Sequence, residues 1–311
     1  MAPSSFGLHQ TWNIMNDVVI AMEENINLII FGIFVFSVGL AIVEFFHELY
    51  KKKLNKWRLG EMWASFSVFL VAQLLEKGTN IIFLGGFLLL ADLIPWEIPV
   101  NIWTSLLCFV LLDFIYYWEH VIEHKVRILW SYHSIHHSSP IYNYTTAMRV
   151  SFIDSLVTWV FYLPLIAMGF NPYIVLLCLV LVLAYQFWLH TELIGKLGWF
   201  EKLFMTPSQH RVHHGSDDIY LDKNYGAVFS IWDRMFGTFQ EEKHRPTYGL
   251  TKPINTINPV KVHFVEYLNI FRDLKKAKSL KEAWSYLVKH PGWQPQSSAT
   301  PTSEAPGPSK S

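Results

Sequence analysis

Apolar residues fall in four long blocks, each of at least the length that a bilayer crossing requires, about 17–25 residues. The fourth block covers residues 152–189 and is long enough for two crossings, separated by a turn signal at Gly169, Asn171 and Pro172. The five predicted spans lie at about residues 26–46, 64–93, 100–118, 152–168 and 172–189. The pattern therefore predicts an all-α, integral-membrane helical bundle.

The polar segments divide the chain into three parts. Residues 1–25 carry three acidic residues before any long apolar run, so we interpret them as an N-terminal segment and not as a cleaved signal peptide. Residues 26–293 form the predicted membrane domain, and two amphipathic helices, at about residues 260–276 and 280–289, lie near its end. Residues 294–311 are rich in Ser, Pro and Thr and predict a disordered tail.

A basic cluster at residues 51–58 follows the first span and predicts that this end of the span faces the cytosol. Counting crossings from there places residues 120–150, and everything from His190 onward, on the same cytosolic face. These segments would form a helical cap over the bundle. The expected location is the endoplasmic reticulum membrane in a eukaryote and the inner membrane in a bacterium.

Composition agrees with a membrane protein, since 51% of the residues are hydrophobic and only 16% are charged. Basic and acidic residues balance at 25 each, so no net charge favours nucleic acid as a partner. Cys108 and Cys178 lie inside apolar runs and predict buried side chains without a disulfide or a metal-binding spacing. Glu76, Lys77 and Asn80 interrupt the second span, and a structural polar pair and a substrate path explain them equally well.

Nine of the 14 histidines fall in three clusters and one single position. His120 and His124 are four residues apart, so both rings lie on one helix face. The other two clusters share the spacing H-x-x-H-H, and His190 stands alone at the end of the fifth span. The predicted metal ligands are His120, His124, His133, His136, His137, His190, His210, His213 and His214. The remaining five are interpreted as ordinary polar residues: His9, His47, His244, His263 and His290.

Neutral imidazole binds iron, zinc, copper and nickel, and nine rings exceed what one ion needs. A zinc hydrolase site would use three protein ligands, so two metal ions are the natural inference. Two redox-active irons could use molecular oxygen to attack an unactivated C–H bond of a membrane lipid. Asp113, Tyr116 or Tyr117, on the face of His120, and Gln186, one turn before His190, are expected to hold the ligand rings in place.

These histidines resemble those of the fatty acid hydroxylase/sterol desaturase superfamily, whose pattern is H-x₃₋₄-H followed by two H-x₂₋₃-H-H boxes. The similarity extends over roughly residues 60–293 and favours the branch that cleaves ether lipids. The stretches that carry it are residues 117–118, 137–139, 142–143, 186–192, 206–208, 210–215, 222–225, 231–233, 236–239, 248–251, 253–256 and 291–293. The chain departs from that branch at Lys125, where the branch has an acidic residue, and at Pro140 and Ile141, where it has an acidic pair.

The resemblance implies a cytosolic di-iron centre that uses O₂ and takes electrons from tetrahydrobiopterin or from a reductase protein. It also implies hydroxylation of an ether lipid, an alkylglycerol, at the carbon beside the ether oxygen, which leads to cleavage of the ether. The box histidines and His190 would be the iron ligands. Asn224, Tyr225 and Asp233 match motif positions and are expected to support the site.

Two other functions stay open. A sterol C5-desaturase or methyl-sterol oxidase would use the same metal chemistry on a rigid ring system. A histidine-rich metal transporter would carry zinc or iron, but its histidines should line a path within the spans, whereas these cluster at one predicted face.

Overall fold

The computed structural model describes Leu28 and residues 31–295, and the regular elements of this part of the chain are helical. The helices are α1 Phe31–Tyr50, α2 Lys56–Leu93, α3 Ile102–Lys125, α4 Arg127–His137, α5 Tyr144–Ala147, α6 Asp154–Val157, α7 Trp159–Ala167, α8 Pro172–Phe187, α9 Pro207–His213, α10 Ile231–Phe236, α11 Pro259–Leu274 and α12 Leu280–Val288. A 3₁₀ helix covers Gly198–Lys202, and two isolated β-bridges join loops. The prediction of an all-α fold is confirmed for the described residues.

Helix boundaries follow the capping signals of the sequence. Asn101 caps α3 by accepting hydrogen bonds from Trp103 N at 3.0 Å and Thr104 N at 3.1 Å. Asn171 caps α8, and Pro172 occupies its first turn, where a missing N–H costs nothing. Gly169 just before it has φ +93°, a conformation that favours glycine, so the chain reverses where the sequence predicts a turn.

Two helices are long and apolar enough to cross a membrane, Phe31–Tyr50 and Ile102–Lys125. Three shorter apolar helices occur at Ile81–Leu93, Asp154–Ala167 and Pro172–Phe187. The fourth predicted span is divided at Thr158 into α6 and α7, and Pro164 lies inside α7. The number of five spans therefore stays a prediction.

Large apolar side chains are exposed along the long helices, as on a lipid-facing surface. Examples are Phe34 on α1 at 61%, Leu74 on α2 at 66% and Trp103 on α3 at 77%. The protein core lies between α3, α7 and α8, where Leu112, Leu165 and other apolar side chains are fully buried. Cys108 and Cys178 lie in this core as free thiols, as predicted.

Buried polar contacts fasten the long helices to the loops around the histidines. Glu44 near the end of α1 accepts hydrogen bonds from Tyr144 N at 2.6 Å and from the Thr191 hydroxyl. Arg149 lies fully buried, donating to Glu61 Oε2 of α2 at 2.6 Å and to Ser138 Oγ at 3.0 Å. Because Thr191 and Ser138 follow His190 and His137 directly, α1 and α2 help to fix where those rings lie.

Four sequence predictions fall wholly or partly outside the described residues, and the start of the first predicted span, at about residues 26–46, is one of them. The N-terminal segment and the tail beyond residue 295 are among them, and so are the side chains of Glu76, Lys77 and Asn80. The two predicted amphipathic helices are present as α11 and α12, and Ser279 caps α12 by accepting from Glu282 N at 3.1 Å.

Candidate metal centre

The nine predicted ligands converge at one end of the bundle from three helices and from the loop after α8. His120 and His124 lie in the last two turns of α3, the H-x-x-H-H cluster of residues 133–137 ends α4, and that of residues 210–214 ends α9. His190 follows the end of α8. Eight of the nine rings could therefore be placed by helix periodicity alone, once the helices meet.

The nine rings form two separate groups, each with ligand atoms within 4.8 Å of one another. The five-histidine group consists of His120, His124, His133, His137 and His213. The four-histidine group consists of His136, His190, His210 and His214. The groups adjoin, since the rings of His137 and His214 are stacked with centroids 4.4 Å apart.

Helix periodicity explains how each H-x-x-H-H box is divided between the groups. Residues four apart share a helix face, so His133 and His137 point to one group and the intervening His136 points to the other. The third box does the reverse, because His210 and His214 join the four-histidine group while His213 joins the five-histidine group. Each of the two H-x-x-H-H boxes therefore contributes to both groups. A repeated spacing of this kind supplies ligands to both sites of a dinuclear centre.

Hydrogen bonds to the outer nitrogens fix the ring tautomers. The Tyr225 carbonyl lies 2.9 Å from Nδ1 of His120, and a carbonyl can only accept, so Nδ1 carries the proton. The carboxylate of Glu123 lies 2.9 Å from Nδ1 of His133 and requires the same tautomer. In the neutral form that a metal requires, the two rings would present the Nε2 lone pairs of His120 and His133 to each other at 3.0 Å. Two lone pairs at that distance repel each other unless a cation lies between them.

Two further rings, those of His213 and His190, show the same arrangement. His213 donates from Nδ1 to the Lys223 carbonyl at 3.1 Å, and His190 donates from Nδ1 to the Gln186 carbonyl at 2.8 Å. Nε2 of His190 lies 3.1 Å from Nε2 of both His136 and His210. Among the described residues, Nε2 of His124 and of His214 has no hydrogen-bond partner.

These distances fit metal coordination. When two nitrogens each lie about 2.1 Å from one ion and the N–metal–N angle is about 90°, the nitrogens are about 3.0 Å apart. Within each of the two groups, the closest pairs of Nε2 atoms lie 3.0–3.1 Å apart. All-nitrogen sites of this size suit iron, copper, nickel or zinc and not calcium or magnesium, which prefer oxygen.

Burial keeps the rings outside the membrane helices in the neutral form that a metal requires. It lowers the pKa of His190 to about 4. Burial, reinforced by the neighbouring imidazoles, lowers the pKa of five more rings well below the ordinary value of 6.5. These rings are His136, His137, His210, His213 and His214.

Two of the predicted supporting residues, Asp233 and Asn224, bind the backbone near the histidine ligands. Asp233 accepts hydrogen bonds from Tyr225 N at 2.7 Å and Gly226 N at 2.9 Å, so it fixes the carbonyl that holds His120. Asn224 donates to the Gln209 carbonyl at 2.9 Å and accepts from Gln240 N at 2.8 Å, which joins α9 to the segment after α10.

Asp113 and Tyr117 do not contact a ring nitrogen, contrary to the expectation from their place on the face of His120. Asp113 instead accepts from Val228 N at 2.8 Å and Trp232 Nε1 at 2.8 Å, because its turn of α3 faces the loop before α10. Tyr117 bonds to Thr238 Oγ1 at 3.0 Å. Both therefore contact the segment that carries Tyr225 and Asp233, and not the histidine rings themselves.

Gln186 supports His190 through its backbone carbonyl, while its side chain accepts from the Tyr116 hydroxyl at 2.8 Å. The residue that the sequence analysis missed is Glu123, which holds His133 and also accepts from Tyr132 OH at 2.9 Å. Its position between His120 and His124 was the available signal. Tyr142 was also missed, and its ring stacks on His190 with centroids 5.7 Å apart.

A cavity of about 570 Å³ leads from the cap to the histidines, a size suited to a small-molecule site. It reaches His124, His137, His213 and His214, so it touches both groups. Its outer part is lined by α11, by residues 249–252 and by His290. Of the histidines set aside as ordinary polar residues, His290 thus lines the cavity, and His263 is buried against the Phe152 ring at 4.6 Å.

Comparison with known proteins identifies the domain that carries these boxes. Residues 105–238 match the family model for fatty acid hydroxylases. That stretch contains all nine histidines of the two groups. The histidine boxes therefore lie in a stretch that matches a fatty acid hydroxylase domain, in agreement with the resemblance that the sequence predicted.

Several lipid-modifying enzymes are similar to this chain. Alkylglycerol monooxygenase of Homo sapiens is 44% identical over 202 residues, which are 65% of this chain and 44% of the human protein. The Danio rerio alkylglycerol monooxygenase is 35% identical over 265 residues, 84% of this chain and 58% of that protein. Ornithine lipid hydroxylase OlsE of Rhizobium tropici is 30% identical over 161 residues, 51% of this chain and 47% of that protein.

The chain spans about half the length of the curated relatives it matches. No solved structure matches the chain.

Proposed function

We propose that this chain is a di-iron lipid monooxygenase that hydroxylates an ether lipid at the carbon beside the ether oxygen. The observation that carries the proposal is the pair of adjoining histidine groups, whose Nε2 atoms converge at 3.0–3.1 Å. The nine rings, divided five to four, would hold two iron ions.

Two bound irons would supply the redox chemistry that inserts one atom of O₂ into a C–H bond, while the other leaves as water. The balance requires two electrons and two protons, which tetrahydrobiopterin or a reductase protein would supply. In the product, a hemiacetal, the bond from carbon to the glycerol oxygen breaks and the proton of the new hydroxyl group moves to that oxygen, which gives an aldehyde and free glycerol. This last step breaks a C–O bond and needs no further oxidant.

The residues of the chain position the metals and exclude water. Glu123 and the Tyr225, Lys223 and Gln186 carbonyls orient the rings, so the centre is formed before substrate enters. Burial of the rings keeps bulk water away, which protects reactive oxygen species from quenching. The 570 Å³ cavity gives the reacting carbon access to both groups through His137 and His214.

The choice of substrate rests on the relatives and on the exposed apolar helices. The names of two kinds of relative, alkylglycerol monooxygenase and ornithine lipid hydroxylase, give a lipid as what they act on. A lipid in the bilayer would lie against α1, α2 and α3, whose apolar side chains are exposed. The proposed location is the endoplasmic reticulum or, in a bacterium, the inner membrane, with the metal centre in the cytosol.

The test is turnover of an alkylglycerol by the iron-loaded protein in lipid nanodiscs under ¹⁸O₂. Tetrahydrobiopterin and a reductase are supplied in separate arms, and the aldehyde is trapped at once by reduction to the alcohol. The proposal predicts one ¹⁸O in that alcohol and none in the glycerol. Oxidation of sterols with no ether cleavage would contradict the substrate, and product without ¹⁸O would contradict the reaction class.

A further inference from the structure

Helix α11 has two chemically different sides. Its outer side exposes between 42% and 64% of four large apolar residues, Val260, Phe264, Leu268 and Phe271. Its inner side buries Val262, His263 and Ile270. The outer residues are spaced four, four and three apart, so they form one continuous stripe on the helix. Helix α12 extends this surface with Leu280, 91% exposed, and Trp284, 64% exposed.

The charges of α11 are also divided between its sides. Its two acidic residues both form ion pairs with Arg127, which contacts Glu266 at 3.0 Å and Asp273 at 2.8 Å. Lys261 and Arg272 are exposed beside the apolar stripe, and Lys275 Nζ lies 4.3 Å from the centre of the Phe271 ring. An apolar stripe with a basic border is typical of a helix that lies on an anionic membrane surface.

The outer surface is continuous with that of a long apolar helix. Ile257, just before α11, packs so closely on Gly60 that a Cβ there would lie 2.6 Å from Ile257 Cδ1. Gly60 is in the second turn of α2, beside the exposed Trp57 and Trp63. Because indole rings favour the headgroup layer, this contact places the start of α11 at the membrane surface.

The inner side of α11 lines the cavity of the metal centre. Val265, Glu266 and Asn269 line this cavity, which reaches His124 and His137. The helix therefore separates the outer apolar stripe from the route to the histidines.

We propose that α11 and α12 lie in the headgroup layer of an anionic leaflet, with α11 as the wall between lipid and cavity. The proposal rests on the proposed function, because it assigns the cavity to a lipid drawn from that leaflet. The outer stripe would hold the cavity entrance at the depth of the lipid headgroups, so the hydrocarbon chain of the lipid would enter the cavity without crossing water.

The test places a nitroxide label on Phe264→Cys or Leu268→Cys in the full-length protein, in phosphatidylcholine–phosphatidylserine vesicles. Lys243→Cys, exposed in the polar segment after α10, is the aqueous control, and the unmodified protein measures labelling of the buried Cys108 and Cys178. Collisions with O₂ report lipid exposure, and collisions with a water-soluble nickel chelate report water. We expect the two outer labels to favour O₂ at least several-fold more than the control label.

Equal nickel accessibility at all three positions would overturn the proposal, and so would spin–spin broadening that shows a second copy packed on the stripe. A second variant, Phe264→Asp with Leu268→Asp, should raise KM for a bilayer lipid several-fold and leave metal content and turnover of a short soluble ether unchanged. Unchanged KM would also contradict the proposal. Lipid-embedded labels in a protein that cleaves no ether would instead reject the proposed function alone.

Discussion

Oε2 of Glu123 lies 2.9 Å from Nδ1 of His133, so a carboxylate from α3 orients a ligand ring on α4. The other oxygen of Glu123 accepts from Tyr132 OH at 2.9 Å, which fixes the carboxylate in turn. This pairing holds the His133 Nε2 atom toward the five-histidine group and makes it a better electron donor.

Replacing Glu123 with Ala should lower metal affinity or activity roughly 10–100-fold, the range for residues that orient a metal ligand. Glu123→Gln should be milder, because its amide oxygen can still accept from Nδ1 of His133. Metal titration of the metal-free protein measures the difference. Glu282→Ala, at the start of α12, is the control and should match the unmodified protein. Equal affinity in Glu123→Ala would show that the contact does not support the site.

The sequence predicted those parts of the structure that depend on local periodicity. His120 and His124 share a face of α3 because they are four residues apart, and the break at Gly169 follows from turn chemistry. The spacing within each H-x-x-H-H box shows which of its rings share a helix face. It does not show how α4 and α9 face each other, so the division into groups of five and four was not predicted.

Contacts between distant elements could not be read from the sequence. Asp113 was expected at a ring nitrogen, but helix position alone does not say which loop packs on that turn of α3. The same holds for Glu44 and Thr191, which are 147 residues apart in the chain. Only the assembled helices bring such pairs together.

Asp113→Asn should destabilise the fold more than it affects the metal. An amide presents one acceptor oxygen where the carboxylate uses two for Val228 N and Trp232 Nε1, so one buried N–H loses its partner, at about 1–3 kcal/mol. Thermal unfolding in detergent should show a lower midpoint, with the metal content per folded chain retained. An unchanged midpoint together with metal loss would assign Asp113 to the metal site itself.

The stability of the metal-free protein should fall as the pH drops below about 6.5. The folded protein holds His190 neutral down to a pKa of about 4, from an ordinary 6.5, so the unfolded chain binds more protons in that window. Chemical denaturation across this range measures the slope. Removing one such ring, as in His190→Gln, should make the slope shallower. Stability that stays level, or rises as the pH falls, would contradict neutral buried rings.

The metal centre and the basic cluster should share one face of the membrane. Lys53 Nζ lies 3.9 Å from Glu192 Oε2, two residues after His190, so the cluster and the site occupy the same end of the bundle. Lys52→Cys and Lys252→Cys should label from the cytosolic side and Glu97→Cys, in the loop before α3, from the opposite side. Labelling of Lys52→Cys and Lys252→Cys from opposite sides would refute both the five-span topology and a shared centre.

Elemental analysis of the purified protein tests the dinuclear centre most directly, with one histidine removed from each group in turn. The account predicts about two irons per chain in the unmodified protein and in His244→Ala, whose ring is exposed and belongs to neither group. It predicts about one iron in His133→Ala and about one in His210→Ala, because each change opens a different group. A single zinc per chain, retained in both variants, would contradict it.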